Sequence, residues 1–269
     1  MNAAGEPSRT SALAPGRLLS NVRVIPRLDI KGPNLVKGVH LEGLRIMGKP
    51  RNFAARYHEQ GADELLYMDI VASLYGRNNL TQIVSETARD IFIPLTVGGG
   101  IRTLEDIVTL LRAGADKVAI NTAALRRPEF IREAARAFGS QCVVLSIEAK
   151  RQPDGRWECY TDNGRERTGV DSLDWARRGA DLGAGEVLLT SVDQEGTRKG
   201  FDLELLARAA EGLGVPVIAC GGAGSTRDLA AAVAAGADAV SAAHIFHCGI
   251  CPISEAKKGL AAAGLPVRP

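Results

Sequence analysis

A chain of 269 residues and 28.4 kDa, 45% apolar and 24% charged, can bury a sizeable core and is not disordered throughout. Lys+Arg 33 against Asp+Glu 31 leaves a net charge of +2, which excludes a general affinity for nucleic acid; no apolar run has the length of a membrane span. Five cysteines form no disulfide-dense framework, which suits a reducing cytoplasm, and the Cys248-Gly249-Ile250-Cys251 spacing lacks the second ligand pair of a metal site.

Residues 1–21 are rich in Ala, Ser, Pro and Gly without the apolar core of a secretory signal, and read as a disordered extension. One domain is expected over 22–269. Short β-branched runs predict strands over 23–29, 64–69, 93–98, 116–121, 142–148, 186–191, 215–220 and 238–243. Between them, 3.6-residue periodicity predicts helices, for instance over 104–113, 128–138, 203–213 and 226–235. Gly61, Gly114, Gly183 and Gly236 supply helix stops. Eight βα units fit a (β/α)8 barrel, with a doubly wound open sheet as the competitor.

An internal repeat decides between the two. Pro94 aligns with Pro216 at an offset of 216 − 94 = 122. At the same offset Gly99-Gly100 meets Gly221-Gly222, Asp106 meets Asp228, and Gly114-Ala115-Asp116 meets Gly236-Ala237-Asp238. Two similar half-barrels, near 22–140 and 141–263, close naturally into one α/β TIM barrel.

Barrel chemistry lies at the C-terminal ends of the strands. Gly98-Gly99-Gly100 and Gly221-Gly222 fall there, each before a helix whose bare N–H groups can hold an anion. Asn121-Thr122 and Ala243-His244, at the next strand ends, lie beside them. Two cradles related by the repeat imply an elongated ligand with a phosphate at each end. Its middle would sit over Asp29 and Glu148, which end strands one and five on opposite sides of the ring, a pair suited to general acid–base work.

At Pro94-Leu95-Thr96-Val97-Gly98-Gly99-Gly100-Ile101-Arg102, Gly114-Ala115-Asp116-Lys117-Val118, Phe138-Gly139-Ser140-Gln141 and Leu188-Leu189-Thr190-Ser191, the chain resembles the cyclase subunit of imidazole glycerol phosphate synthase. The likeness runs from about Arg23 to Arg268. It implies that a partner glutaminase, in a heterodimer, feeds ammonia through the barrel. The ammonia then attacks a ribulosyl bisphosphate intermediate, giving imidazole glycerol phosphate and aminoimidazole carboxamide ribotide for histidine biosynthesis. No cofactor or metal is implied. Catalytic roles carry over to Asp29 and to Lys37 in the loop after strand one. Phosphate contacts carry over to Gly100, Asn121, Thr122 and Gly222, and Asp69 and Thr190 match mouth positions. Arg23, Glu64, Lys117 and Glu186 match a ring of charges around the ammonia entrance.

Several residues depart from that pattern. Glu148 and Glu195 stand where the family has aspartates, and Arg27 and His244 where it has small residues. Strand alternation turns Arg27 into the barrel, where its guanidinium needs Asp29 or Glu148 as partner and would lower their pKa values. These departures leave two alternatives: a paralogous ammonia-dependent enzyme on another phosphorylated sugar, and a catalytically weak barrel that activates a glutaminase. Asp29→Asn is expected to abolish turnover with little loss of fold.

Overall fold

The computed structural model describes residues 21–72 and 80–269; the predicted extension over 1–21 lies outside the described residues except for its last position. Twelve strands are present among them. They are β1 (Arg23–Lys31), β2 (Asn34–Val39), β3 (Glu42–Gly48), β4 (Leu65–Asp69), β5 (Leu95–Gly98), β6 (Lys117–Ile120), β7 (Val143–Arg151), β8 (Trp157–Thr161), β9 (Glu166–Asp171), β10 (Glu186–Ser191), β11 (Val217–Cys220) and β12 (Ala239–Ala242).

Eight of these pair in parallel as a closed ring, β1-β4-β5-β6-β7-β10-β11-β12, with β12 returning to β1 through Arg23↔Ala239 to Pro26↔Ala242. The other four are two antiparallel hairpins, β2–β3 on β1 and β8–β9 on β7. The expected barrel is therefore the observed one. Helices cover its outside, with the predicted ones at Leu104–Ala113, Glu129–Phe138, Leu203–Gly212 and Thr226–Ala234.

Capping chemistry explains why the helices begin where they do. Thr103 accepts from the Asp106 N–H while the Asp106 carboxylate returns to the Thr103 N–H. One repeat later Ser225 Oγ accepts from the Asp228 N–H and donates to the Asp228 carboxylate, which opens Thr226–Ala234. The larger apolar core lies between sheet and helices, for example Val24, Leu65, Val97, Phe130, Leu206 and Leu260. A second cluster of Ile25, Leu66, Met68, Val144, Leu188 and Ile218 fills the lumen. The two ends of the barrel chain meet, the Val22 N–H donating to the Pro266 carbonyl at 2.7 Å. Among the described residues no helix is long and apolar enough to cross a membrane.

The structure corrects one reading that matters for the site. Asp29 and Glu148 do not end their strands: β1 runs on to Lys31 and β7 to Arg151, because each strand leaves the ring to carry a hairpin. Asp29 consequently sits between Met68 of β4 and Val36 of β2, and Glu148 between Thr190 of β10 and Tyr160 of β8.

Candidate functional site

At the N-terminal end of the strands, four charges form a closed cycle. Arg23 bonds Glu64 at 2.8 Å and Glu186 at 2.9 Å, while Lys117 bonds the same two carboxylates at 3.0 and 3.1 Å. Glu64, at 2% exposure, also accepts from Thr96 Oγ1 at 2.6 Å. Thr96 had no sequence signal beyond its inward phase on β5. Above this floor lie the apolar lumen side chains, and above them the mouth.

The first cradle is open. Gly99 and Gly100, with φ of +98° and +72°, border a cavity of about 260 Å³ together with Asn121, Thr122, Arg126 and Arg127. That cavity extends to Arg27, Asp69 and Glu148. Asn121 donates to the Tyr160 carbonyl at 3.2 Å, and its buried Oδ1 has no partner. Arg126 and Arg127 were missed by the sequence reading, although a basic pair one turn after Asn121-Thr122 is the signal that would have found them.

The second cradle is nearly shut. Gly221, Gly222, Ala243 and His244 enclose only about 10 Å³, with Arg27, Lys37 and Glu195 filling the rest. Lys37 is buried on β2 rather than placed on a loop, and donates to Glu195. The Glu195 loop is strapped to the first hairpin: the His40 N–H donates to the Glu195 carbonyl at 2.8 Å, and the His40 ring meets the Val192 carbonyl at 3.0 Å. Burial, with Arg198 and Lys37 nearby, lowers the pKa of His244 and favours the neutral imidazole.

Glycine is required at both cradles. A Cβ on Gly99 would lie 2.2 Å from the Asp69 carbonyl oxygen, and one on Gly222, whose φ is +109°, 2.0 Å from that of Gly200. We expect Gly222→Ala to cost at least about 1–3 kcal/mol of stability from backbone strain, read by denaturant unfolding. An unchanged midpoint would mean that this turn relaxes freely.

Between the cradles the charges sort themselves. Arg27 leaves β1, crosses the lumen and reaches Thr190 Oγ1 of β10 at 3.4 Å and Cys220 Sγ of β11 at 3.6 Å. Its Nε donates to Asp29 Oδ1 at 2.7 Å, and Lys37 Nζ lies 3.8 Å from Asp29 Oδ2. Of the two partners the sequence offered, the guanidinium hydrogen-bonds Asp29. Burial raises the Asp29 carboxyl, but Arg27 and Lys37 outweigh it and the net direction is down.

Glu148 goes the other way. Burial pushes it up to about 7, against the lowering influence of Arg27 and of the Gly164 N–H at 2.8 Å, with Asp29 and Asp162 adding to the rise. The sequence reading expected a lowering of either acid; Glu148 departs because desolvation outweighs the nearby cation. Of this pair, therefore, Asp29 is ionised around neutral pH and Glu148 exchanges its proton.

A family model described as histidine biosynthesis protein matches residues 23–252. The chain belongs to that family. It is 66% identical over 210 residues, 78% of this chain and 99% of the relative, to a Legionella pneumophila protein named imidazole glycerol phosphate synthase subunit HisF. Relatives of the same name from Corynebacterium diphtheriae and Mycobacterium tuberculosis are 51% and 53% identical over 253 residues, covering 92% of this chain and 98% and 95% of theirs. Within this family member the site residues expected from the sequence fall at two places. Lys37, Glu148 and both cradles border the two cavities of the mouth, with Asp29 and Thr190 meeting the side chain of Arg27 that borders both, whereas Arg23, Glu64, Lys117 and Glu186 form the floor.

Proposed function

We propose that the chain is the cyclase of an imidazole glycerol phosphate synthase. In this reading it uses glutaminase-derived ammonia to convert a ribulosyl bisphosphate intermediate into imidazole glycerol phosphate and aminoimidazole carboxamide ribotide. The observation that carries it is the pair of repeat-related glycine cradles, the first bordered by Glu148, the second by Lys37, and both by Arg27, which holds Asp29. Backbone N–H groups of the cradles hold the two phosphates, and the first cradle adds Arg126 and Arg127. Asp29, ionised beside Arg27 and Lys37, accepts a proton as the imidazole ring closes. Glu148, pushed up to about 7 by burial, exchanges its proton around neutral pH and supplies one to the departing ribotide. Lys37 exchanges Glu195 for substrate oxygen when the second cradle opens. No cofactor enters this scheme.

The deciding experiment supplies the purified barrel with the bisphosphate and an ammonium salt, so that no partner is needed. Turnover that vanishes in Asp29→Asn supports the cyclase. Binding without turnover in the wild type favours a barrel whose use is to activate a glutaminase. A specific observation favours a second reading, in which the substrate is another phosphorylated sugar: the second cradle is filled by Lys37, Glu195 and the reach of Arg27. Absence of bisphosphate binding would move the assignment there.

The floor is assigned to ammonia transfer from a glutaminase docked on that face. Lys117→Ala opens the cycle by removing two of its four contacts. Glutamine-dependent turnover is expected to fall about tenfold more than ammonium-dependent turnover, a coupling effect of ordinary size. Equal losses in the two assays would remove the assignment.

A further inference from the structure

Arg27 is a costly residue to keep. Its side chain is 2% exposed inside the barrel, above the apolar lumen cluster, and among the described residues Asp29 is the carboxylate that it hydrogen-bonds. A buried cation is retained where it does something a well-packed apolar side chain would not. Its position suggests what that is. From β1 it reaches β10 and β11, three and two strands round the ring, so the side chain crosses the lumen bonded to Asp29, shares the first cavity with Glu148 and borders both cradles.

We propose that Arg27 is a positioning residue that splits the roles of the two facing acids: it holds Asp29 as the ionised base and leaves Glu148 as the acid that carries the proton. The inference rests on the cyclase reading for the reaction, but the division of roles is a property of the protein alone.

The contacts are one-sided. Asp29 receives the Nε–H bond of Arg27 and faces Lys37 of β2, with His247 of the helix His244–His247 and Glu148 as further titratable neighbours. Burial brings His247 down to about 3, so it is neutral and adds no charge. Glu148 receives one hydrogen bond, from the Gly164 N–H, and faces Arg27, Asp29 and Asp162. The other groups around the guanidinium are Glu195 from the loop after β10, and Cys220, whose thiol is raised by burial. Two like acids in one dry site would otherwise compete for a single proton, with neither assigned as base. A cation bonded to one of them removes that degeneracy. Glu148 feels Arg27 only through space, so losing Arg27 must move both acids to higher pH, Asp29 the further.

The test has an arm that needs no substrate. Carbon-13 NMR of the Asp and Glu carboxyls is followed against pH in the wild type, Arg27→Met and Arg27→Lys, with Glu148→Gln assigning the resonance that titrates near neutrality. Arg27→Met is expected to move the Asp29 and Glu148 titrations up by about one to three pH units, the range for loss of an adjacent opposite charge. Arg27→Lys, which keeps the charge, is expected to hold them near the wild-type values. Should Arg27→Met not fold, Arg27→Gln makes the same comparison, since it keeps a donor toward Asp29 without the charge. Unmoved titrations in a folded neutral variant would overturn the proposal.

The second arm follows kcat/KM for the bisphosphate against pH at fixed free ammonia. Both limbs are expected to move to higher pH in Arg27→Met and to return in Arg27→Lys. A uniform loss of rate with unmoved limbs would mean that Arg27 only fills space, and would also overturn the proposal. If the wild type does not turn the bisphosphate over, the cyclase reading fails, and the NMR arm alone decides the role of Arg27.

Discussion

Replacing Asp29 by asparagine is expected to reduce ammonium-dependent turnover by about 10²–10⁴-fold, the usual contribution of a positioned general base. The same change is expected to lower stability. The sequence alone suggested little loss of fold, but Asp29 is the counter-ion of buried Arg27 and lies 3.8 Å from buried Lys37. Breaking a buried pair from one side costs about 3–5 kcal/mol. Asparagine keeps one oxygen for the Arg27 Nε–H, so the lower end of that range applies. The sign with pH is fixed by the direction of the shift. Asp29 titrates below its unfolded value, so its stabilisation is present above the ordinary carboxylate range and is lost as pH falls through the folded value. Wild type and Asp29→Asn should therefore differ in melting temperature at pH 7 and converge in strong acid. A constant difference at all pH values would mean that packing, not charge, is what the mutant loses.

Glu148→Gln is expected to act in opposite directions on rate and on stability. Turnover should fall by about 10²-fold or more through loss of the proton donor. Stability above pH 7 should rise. Lifting a carboxyl from its ordinary 4.5 to about 7 corresponds to about 3 kcal/mol against the ionised folded form. The unfolded chain releases this proton first, so Glu148 leaves the fold unpenalised below pH 4.5 and costs progressively more between 4.5 and 7. Glutamine can still accept the Gly164 N–H and carries no such cost. The variant should be the more stable protein at pH 8 and indistinguishable from wild type near pH 4, by urea unfolding at both values. If it is the less stable protein at pH 8, Glu148 is not held in a desolvated site.

The barrel was legible because its signal is repeated. Apolar runs, Gly-Ala helix stops and an offset of 122 residues all agree, and each survives small errors in strand boundaries. The cradles were legible for the same reason, since a glycine pair that recurs one repeat later is hard to read as a turn alone. The hairpins were not. β3 is exposed along most of its length, so no alternation marks it, and Lys37 read as a loop residue although it is buried on β2. Strand phase could place Arg27, Asp29 and Glu148 inside the barrel. It could not say which acid takes the guanidinium, because that depends on how a long side chain crosses the lumen. The difference between the cradles was equally invisible: Glu195 fills the second one through a contact with Lys37 spanning 158 residues.

The meeting of Val22 with Pro266 has a consequence for how the chain can be cut. A ring in which β12 returns to β1 has no privileged first strand, and Val22 and Pro266, at the two ends of the barrel segment, already lie a hydrogen bond apart. Joining them with a short linker and opening the chain elsewhere yields a circular permutant that retains every ladder of the ring. The break between residues 140 and 141 would exchange the order of the two halves. In the natural order β1 must wait more than 200 residues for β12, a distant contact of the kind that slows folding. In the permuted order those strands become near neighbours in the chain, and the late step moves to the seam between β6 and β7.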